Sequence, residues 1–149
     1  SVDSYLIGPK GDKLTAADEV PFSALHELPF ILPSVPNGLR TALDAVARQE
    51  RITLAPVIEA DSLPLMKSLV ANERLYTVLP LHAVWQEVAD GRLQAVPIVN
   101  PTLQRTISMA TARSKGPGRA VAAVAREIVD MVGSMARDGM WRSGPVPKR

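Results

Sequence analysis

Residues 29–80 read PFILPSVPNGLRTALDAVARQERITLAPVIEADSLPLMKSLVANERLYTVLP, and the order of apolar runs and amphipathic stretches in them decides the fold. Phe30-Ile31-Leu32 is a continuous apolar run held between Pro29 and Pro33. Such a run reads as a strand buried on both faces, as in a parallel sheet. From about Pro36 to Gln49 the pattern changes to that of a helix. Leu39, Leu43, Val46 and Ala47 recur at i, i+4, i+7 and i+8, while Arg40, Asp44 and Arg48 populate other faces. Pro56-Val57-Ile58 is again a strand, followed by Glu59-Ala60-Asp61-Ser62. A second helix is predicted from about Leu63 to Asn72, with Asp61 or Ser62 as its cap and Pro64 tolerated in its first turn. Its apolar face is Leu65, Met66, Leu69 and Val70. Tyr76-Thr77-Val78-Leu79 is the next strand, ended by Pro80.

Working outward, a short helix is predicted over His82–Ala89, stopped by Asp90-Gly91, and an extended segment over Leu93–Val99. Strand and helix thus alternate from residue 29 to 99, which argues for an α/β domain with parallel pairing and right-handed crossovers. Upstream, Tyr5-Leu6-Ile7 reads as a strand stopped by Gly8-Pro9-Lys10-Gly11, and residues 9–20 are polar and turn-rich. Downstream, Thr106–Thr111 reads as a strand of mixed polarity and Ser114–Gly118 as a loop. The longest helix follows, about Arg119 to Arg137. Its stripe of Val121, Val124, Ile128, Met131, Val132 and Met135 is expected to be core or a seam between subdomains. Residues 139–149, rich in Pro, Gly and basic side chains, are expected to form a frayed, flexible basic tail.

A length of 149 residues fits one domain, or one and a fraction. Hydrophobic residues make up 46% and charged residues 21%, ordinary for a globular chain, so disorder and fibrous classes are excluded for its bulk. The cysteine count of 0 excludes disulfides, iron–sulfur clusters and a cysteine nucleophile, and is compatible with a cytoplasmic setting. No apolar run is long enough to span a membrane, and Ser1-Val2-Asp3-Ser4 lacks the basic start and apolar core of a signal peptide. The net charge of +2 hides an asymmetry: residues 1–104 hold 8 Lys/Arg against 12 Asp/Glu, and residues 105–149 hold 9 against 3. A solvated helix face plus a basic tail is the expected reading, with weak attraction to nucleic acid or another polyanion as the alternative. No aromatic residues interleave with the charges, as a nucleic-acid stacking surface would require.

No catalytic signature is present: no glycine-rich phosphate loop, no nucleophile elbow and no two-histidine helix. The histidines are His26 and His82. Glu59 or Asp61 acting with His82 is the one enzyme-like combination, and Asp61 as a cap and Glu59 paired to a neighbour explain those carboxylates more simply. His82 is expected to be a partly exposed residue of its short helix and Trp85 a packing anchor. What stands out is the carboxyl ends of the strands, where open α/β sheets bind ligands. These are Leu32-Pro33-Ser34, Glu59-Ala60-Asp61-Ser62 and Val78-Leu79-Pro80. Two lead into helix N-termini, whose N–H groups and dipole suit a carboxylate, phosphate or sulfate. Ser34 and Ser62 would add hydroxyl donors.

From Tyr5 to about Val132 the ordered series of segments resembles the effector-binding half of the LysR-type transcriptional regulators. The segments are Leu6-Ile7-Gly8-Pro9, then Val20 through Ser34 to Gly38-Leu39-Arg40, and Glu59-Ala60-Asp61-Ser62. Leu69-Val70-Ala71 leading into Thr77-Val78-Leu79-Pro80, and Pro97-Ile98-Val99 through Thr111 into the last helix, complete the series. The resemblance implies a fold like the type 2 periplasmic binding proteins: an effector-binding subdomain with a parallel-rich mixed sheet, plus part of a second subdomain. Residues 14–103 would be the effector-binding (second) subdomain. Residues 1–13 and 104–138 would be crossover strands and partial first subdomain. It implies effector contacts at Pro33, Ser34, Val35 and Pro36, with others near Asp61, Ser62 and Pro80. It also implies a small effector and a homodimer or tetramer; the helix starts at the strand ends point to an anionic one, and no membrane contact, catalytic residue, metal or cofactor is expected. DNA would be bound only through an N-terminal winged helix-turn-helix outside this sequence, so the chain is expected to be a piece of a longer regulator. The Gly-x-Gly usual before the strand ending in Leu79-Pro80 is replaced by Asn72-Glu73-Arg74-Leu75-Tyr76. There Asn72 is expected to supply the left-handed helix end. A solute-binding module of a transport system would use the same fold, and a small α/β enzyme is the third reading.

Overall fold

The computed structural model describes residues 1–111 and 118–141. Strand β1 (Val2–Pro9) is buried along its whole length, with Tyr5, Leu6 and Ile7 fully enclosed. It lies between β5 (Thr77–Pro80) and β6 (Leu93–Val99), antiparallel to both, with Ser4 opposite Pro80 and Leu6 opposite Val96. Strand β2 (Val20–Pro21) runs parallel to β6. Strand β3 (Pro29–Leu32) runs parallel to β4 (Ala55–Glu59) and joins the start of β5 through a parallel bridge between Phe30 and Tyr76. The bridge is made by Ile31 N–H to Tyr76 O at 2.8 Å and Tyr76 N–H to Pro29 O at 3.0 Å. Strands β2 to β6 therefore share one direction and β1 alone opposes them, giving a mixed sheet rich in parallel strands.

The apolar face predicted for the first helix is the one it buries: in α1 (Gly38–Glu50) Leu39, Leu43 and Ala47 enter the core. Asn37 caps it by accepting from Leu39 N–H at 2.9 Å, so the helix begins two residues later than its apolar pattern suggests. In α2 (Leu63–Glu73) Met66 and Val70 are buried, while Leu65 stays exposed. The left-handed residue that ends α2 is Arg74 (φ 55), not Asn72. Asn72 remains helical and donates back to Ser68 O at 2.9 Å; the reversal at Arg74 then carries Leu75 into the core. The helix predicted over His82–Ala89 is two pieces, a 3-10 turn Leu81–Ala83 and α3 (Trp85–Ala89), because Val84 leaves the helical region at φ −126°.

Three expectations are corrected. Thr106–Thr111 is not a strand; pairing is limited to β7 (Gln104–Arg105), because the register that sets Val2 opposite Arg105 uses up β1 there. Helix α4 (Arg119–Arg137) keeps its predicted bounds, but none of its residues is buried, so of the two roles expected for its apolar stripe, core and subdomain seam, the first is ruled out. Met131 is 62% and Val124 59% exposed. Gly139–Trp141 is not frayed. Gly139 is buried with φ 78, and the Met140 and Trp141 N–H groups donate to Met135 O at 2.9 and 3.0 Å. This is a glycine-closed helix end. Most of the Ser114–Gly118 loop and residues 142–149 lie outside the described residues.

Candidate functional site

Because β1 is reversed, its first residues share an edge with the carboxyl ends of β3, β4, β5 and β6. That edge gathers Ser4, Pro33–Pro36, Glu59–Ser62 and Pro80, with α1 and α2 starting beside it. Ser4 Oγ is fully buried and has no hydrogen-bond partner among the described residues, a rim hydroxyl to which sequence reading assigned no role. The loop after β3 turns at once: Asn37 N–H donates to Ser34 O at 2.9 Å, and Val35-Pro36 is a cis peptide. Pro33 is buried and Ser34 half-buried, whereas Val35 projects outward at 64% exposure, with Pro36 also exposed.

Two groups hold this loop. Asp61, expected as a possible cap of α2, instead accepts from Ser34 N–H at 3.1 Å and so ties the end of β4 to the end of β3. Ser62 is the cap, accepting weakly from Leu65 N–H at 3.5 Å. Arg40 reaches further. Its Nη1 donates to Pro33 O at 3.1 Å and to Glu59 Oε1 at 2.7 Å, and its Nε donates to Asp44 at 3.0 and 3.1 Å. The hydrogen bond to Glu59 outweighs the cost of burial and holds the guanidinium above its ordinary basicity. The expected pairing of Glu59 with a neighbour is thus to Arg40. Arg40 was placed on a polar helix face without a role; the signal was available in its i,i+4 spacing to Asp44.

The structure does not bring His82 together with Glu59 or Asp61 in any hydrogen bond or ion pair among the described residues. His82 stacks on Trp141, with ring centroids 4.6 Å apart and planes inclined by 8°, and burial holds its imidazole below the usual pKa. His26 Nδ1 accepts from Thr53 N–H at 3.0 Å, ahead of the starts of β3 and β4 and so at the opposite end of those strands from the rim. Trp85 packs partly buried against the core, as expected. No three potential metal-ligating side chains converge among the described residues. No helix there is long and apolar enough to cross a membrane.

At the other end of the sheet, Asp12 accepts from Tyr76 OH at 2.7 Å, from Thr15 N–H at 2.9 Å and from Thr15 Oγ1 at 3.1 Å. Burial alone would push Asp12 upward, but these hydrogen bonds outweigh it and hold the carboxyl below its ordinary value. Burial, then the bond to Asp12, pushes Tyr76 up to about 12. Gly8 is required here, since a Cβ would stand 2.7 Å from Thr15 Oγ1 and Cγ2. A groove of ≈ 400 Å³ between α2 and α3 is lined by Lys67, Glu87, Arg92 and Leu93. Leu93 is the end of β6 opposite the rim, and the Lys67–Glu87 ion pair at 2.7 Å occupies the groove wall. The closed tyrosine cluster and this groove both differ from the strand-end edge, where loops converge and Val35 stays open.

The family model described as the LysR substrate binding domain matches residues 2–133. The HTH-type transcriptional regulator BbuR of Bordetella bronchiseptica is 28% identical over 141 residues, covering 94% of this chain and 43% of that protein. The regulatory domain of CcmR from Synechocystis PCC6803, in complex with 2-PG, superposes with a TM-score of 0.75 at 18% identity, covering 87% of this chain and 62% of that one. The effector binding domain of QuiR in complex with shikimate gives 0.71 at 16% identity, covering 87% and 61%. At such identities these structures establish the fold, which is that of periplasmic-binding-protein-like effector domains. The chain spans under half the length of the curated relative and about three-fifths of the two regulatory domains.

Proposed function

The chain belongs to the family of LysR substrate binding domains, and from that membership we propose that it is the effector-sensing part of a cytoplasmic transcriptional regulator. In this reading a small, anionic metabolite is held at the strand-end edge and is not transformed. Residues 14–103 form the effector-binding subdomain, while 1–13 and 104–138 contribute the crossover strands and part of the first. Pro33, Ser34, Val35, Pro36, Asp61, Ser62 and Pro80 contact the effector, and no residue here contacts DNA. The observation that carries the reading is the tether of Ser34 N–H to Asp61, which fixes the β3 loop at the starts of α1 and α2. Helix starts present N–H donors and a positive dipole end to an anion. Binding shifts the angle between subdomains and so the arrangement of the oligomer on DNA. A second copy fits β4, an edge strand with Val57 59% and Ile58 37% exposed.

A thermal-shift screen of organic acids and oxyanions against the whole regulator tests this. One compound class should raise the melting temperature, and Ser34→Ala should weaken that ligand about tenfold by removing one hydrogen bond to a charged group. No stabilisation by any compound, or an unchanged affinity in Ser34→Ala, counts against this assignment of the site.

A further inference from the structure

The C-terminal turn of α4 makes a contact that the sensor reading does not use. Gly139, in the left-handed region and buried, reverses the chain, and the double acceptance at Met135 O fixes Met140 and Trp141 against the helix end. This aims the Trp141 indole at His82, where the two rings lie nearly parallel, 4.6 Å apart. The platform beneath His82 is firm. Leu81 is buried in the core, and Ala83 O accepts from Lys67 Nζ at 3.4 Å, with Lys67 itself paired to Glu87 of α3 at 2.7 Å. Pro80, the rim end of β5, immediately precedes this turn. The rest of α4 is not clamped: Val121, Val124, Ile128 and Met131 are all exposed.

We propose that Gly139–Trp141 is a strap: stacked on His82, Trp141 ties the end of α4 to the body next to the rim at Pro80. Helix α4 and the rim then move together, or the stack breaks. The consequence rests on the sensor reading, in which α4 belongs to one subdomain and His82 to the other; the stack itself does not. Besides the two crossover strands, the strap is then a third link across the subdomain boundary, and closure about an effector must carry or release it.

The test uses the full chain with Trp85→Phe, leaving Trp141 as the sole indole, and measures acrylamide quenching. Trp141 should be shielded relative to N-acetyltryptophanamide. His82→Ala should raise its quenching constant about twofold or more, and His82→Phe, which preserves an aromatic face, should keep it shielded. Hydrogen exchange in the chain with Trp85 intact provides a second measurement. His82→Ala should speed the amides of residues 134–141 about fivefold and leave those of β1 and β5 unchanged. Full accessibility of Trp141, or no response of either measurement to His82→Ala, overturns the strap. A shielded Trp141 in a regulator that no compound stabilises overturns the sensor reading and leaves the stack standing.

Discussion

Tyr76 illustrates how one residue serves two neighbours. Its backbone bridges β3 to β5, and its hydroxyl donates to Asp12 across the sheet's far end at 2.7 Å. Its pKa, raised from 10.0 to about 12, fixes the sign of an alkaline effect. Between those values the unfolded chain releases the proton first, so the stabilisation is whole below pH 10 and is lost as pH rises towards 12. For Asp12 the direction is opposite. Its contribution is whole above its ordinary value of 3.8 and lost as pH falls through the lower folded value. Tyr76→Phe should cost about 1–2 kcal/mol at neutral pH by urea denaturation, and should flatten the fall in melting temperature above pH 10. A variant as stable as the parent, with the same alkaline slope, would remove this hydrogen bond from the account.

At the scale of elements, Arg40 binds three segments: its own helix through Asp44, β4 through Glu59 and the β3 loop through Pro33 O. Its side chain is only 12% exposed, so its removal leaves two carboxylates and a carbonyl without their donor. Arg40→Ala should cost about 1–3 kcal/mol and open residues 33–37 to proteolysis. Arg40→Lys, with a point charge in place of a fork, should recover only part of this. If the lysine variant matches the parent in urea, charge rather than geometry holds the loop. The strands and helices between residues 29 and 99 were legible because their periodicities report burial directly: Leu39, Leu43 and Ala47 are spaced for one face and are buried on it. The Ser34–Asp61 tether was not, since a carboxylate before a helix looks like a cap until the neighbouring strand supplies a better donor. Thr106–Thr111 misled because β propensity says nothing about whether a partner strand extends that far. The strand ends that gather at the rim could be named in sequence, but the place of Ser4 there depends on the reversal of β1, a long-range pairing that no local pattern encodes.

For the whole molecule, the apolar face of α4 is the feature to weigh, because it is left exposed. With Met109 and Ala110, residues Val121, Val124 and Ile128 line an apolar hollow of ≈ 360 Å³ open to solvent. Exposed apolar surface of this kind drives association. The 149-residue chain alone should sediment as dimers or larger species at micromolar concentration, and Val124→Asp should shift it towards monomer. A monodisperse parent monomer would contradict this. The regulatory-domain structures it resembles are longer, the chain spanning 62% and 61% of them. The position of β1 also has a temporal side. The strand is synthesised before both strands that flank it, which lie some seventy or more residues downstream, at Thr77–Pro80 and Leu93–Val99. During synthesis its apolar side chains must wait until those partners emerge, so a nascent chain arrested before residue 77 exposes a segment that the finished fold buries along its whole length.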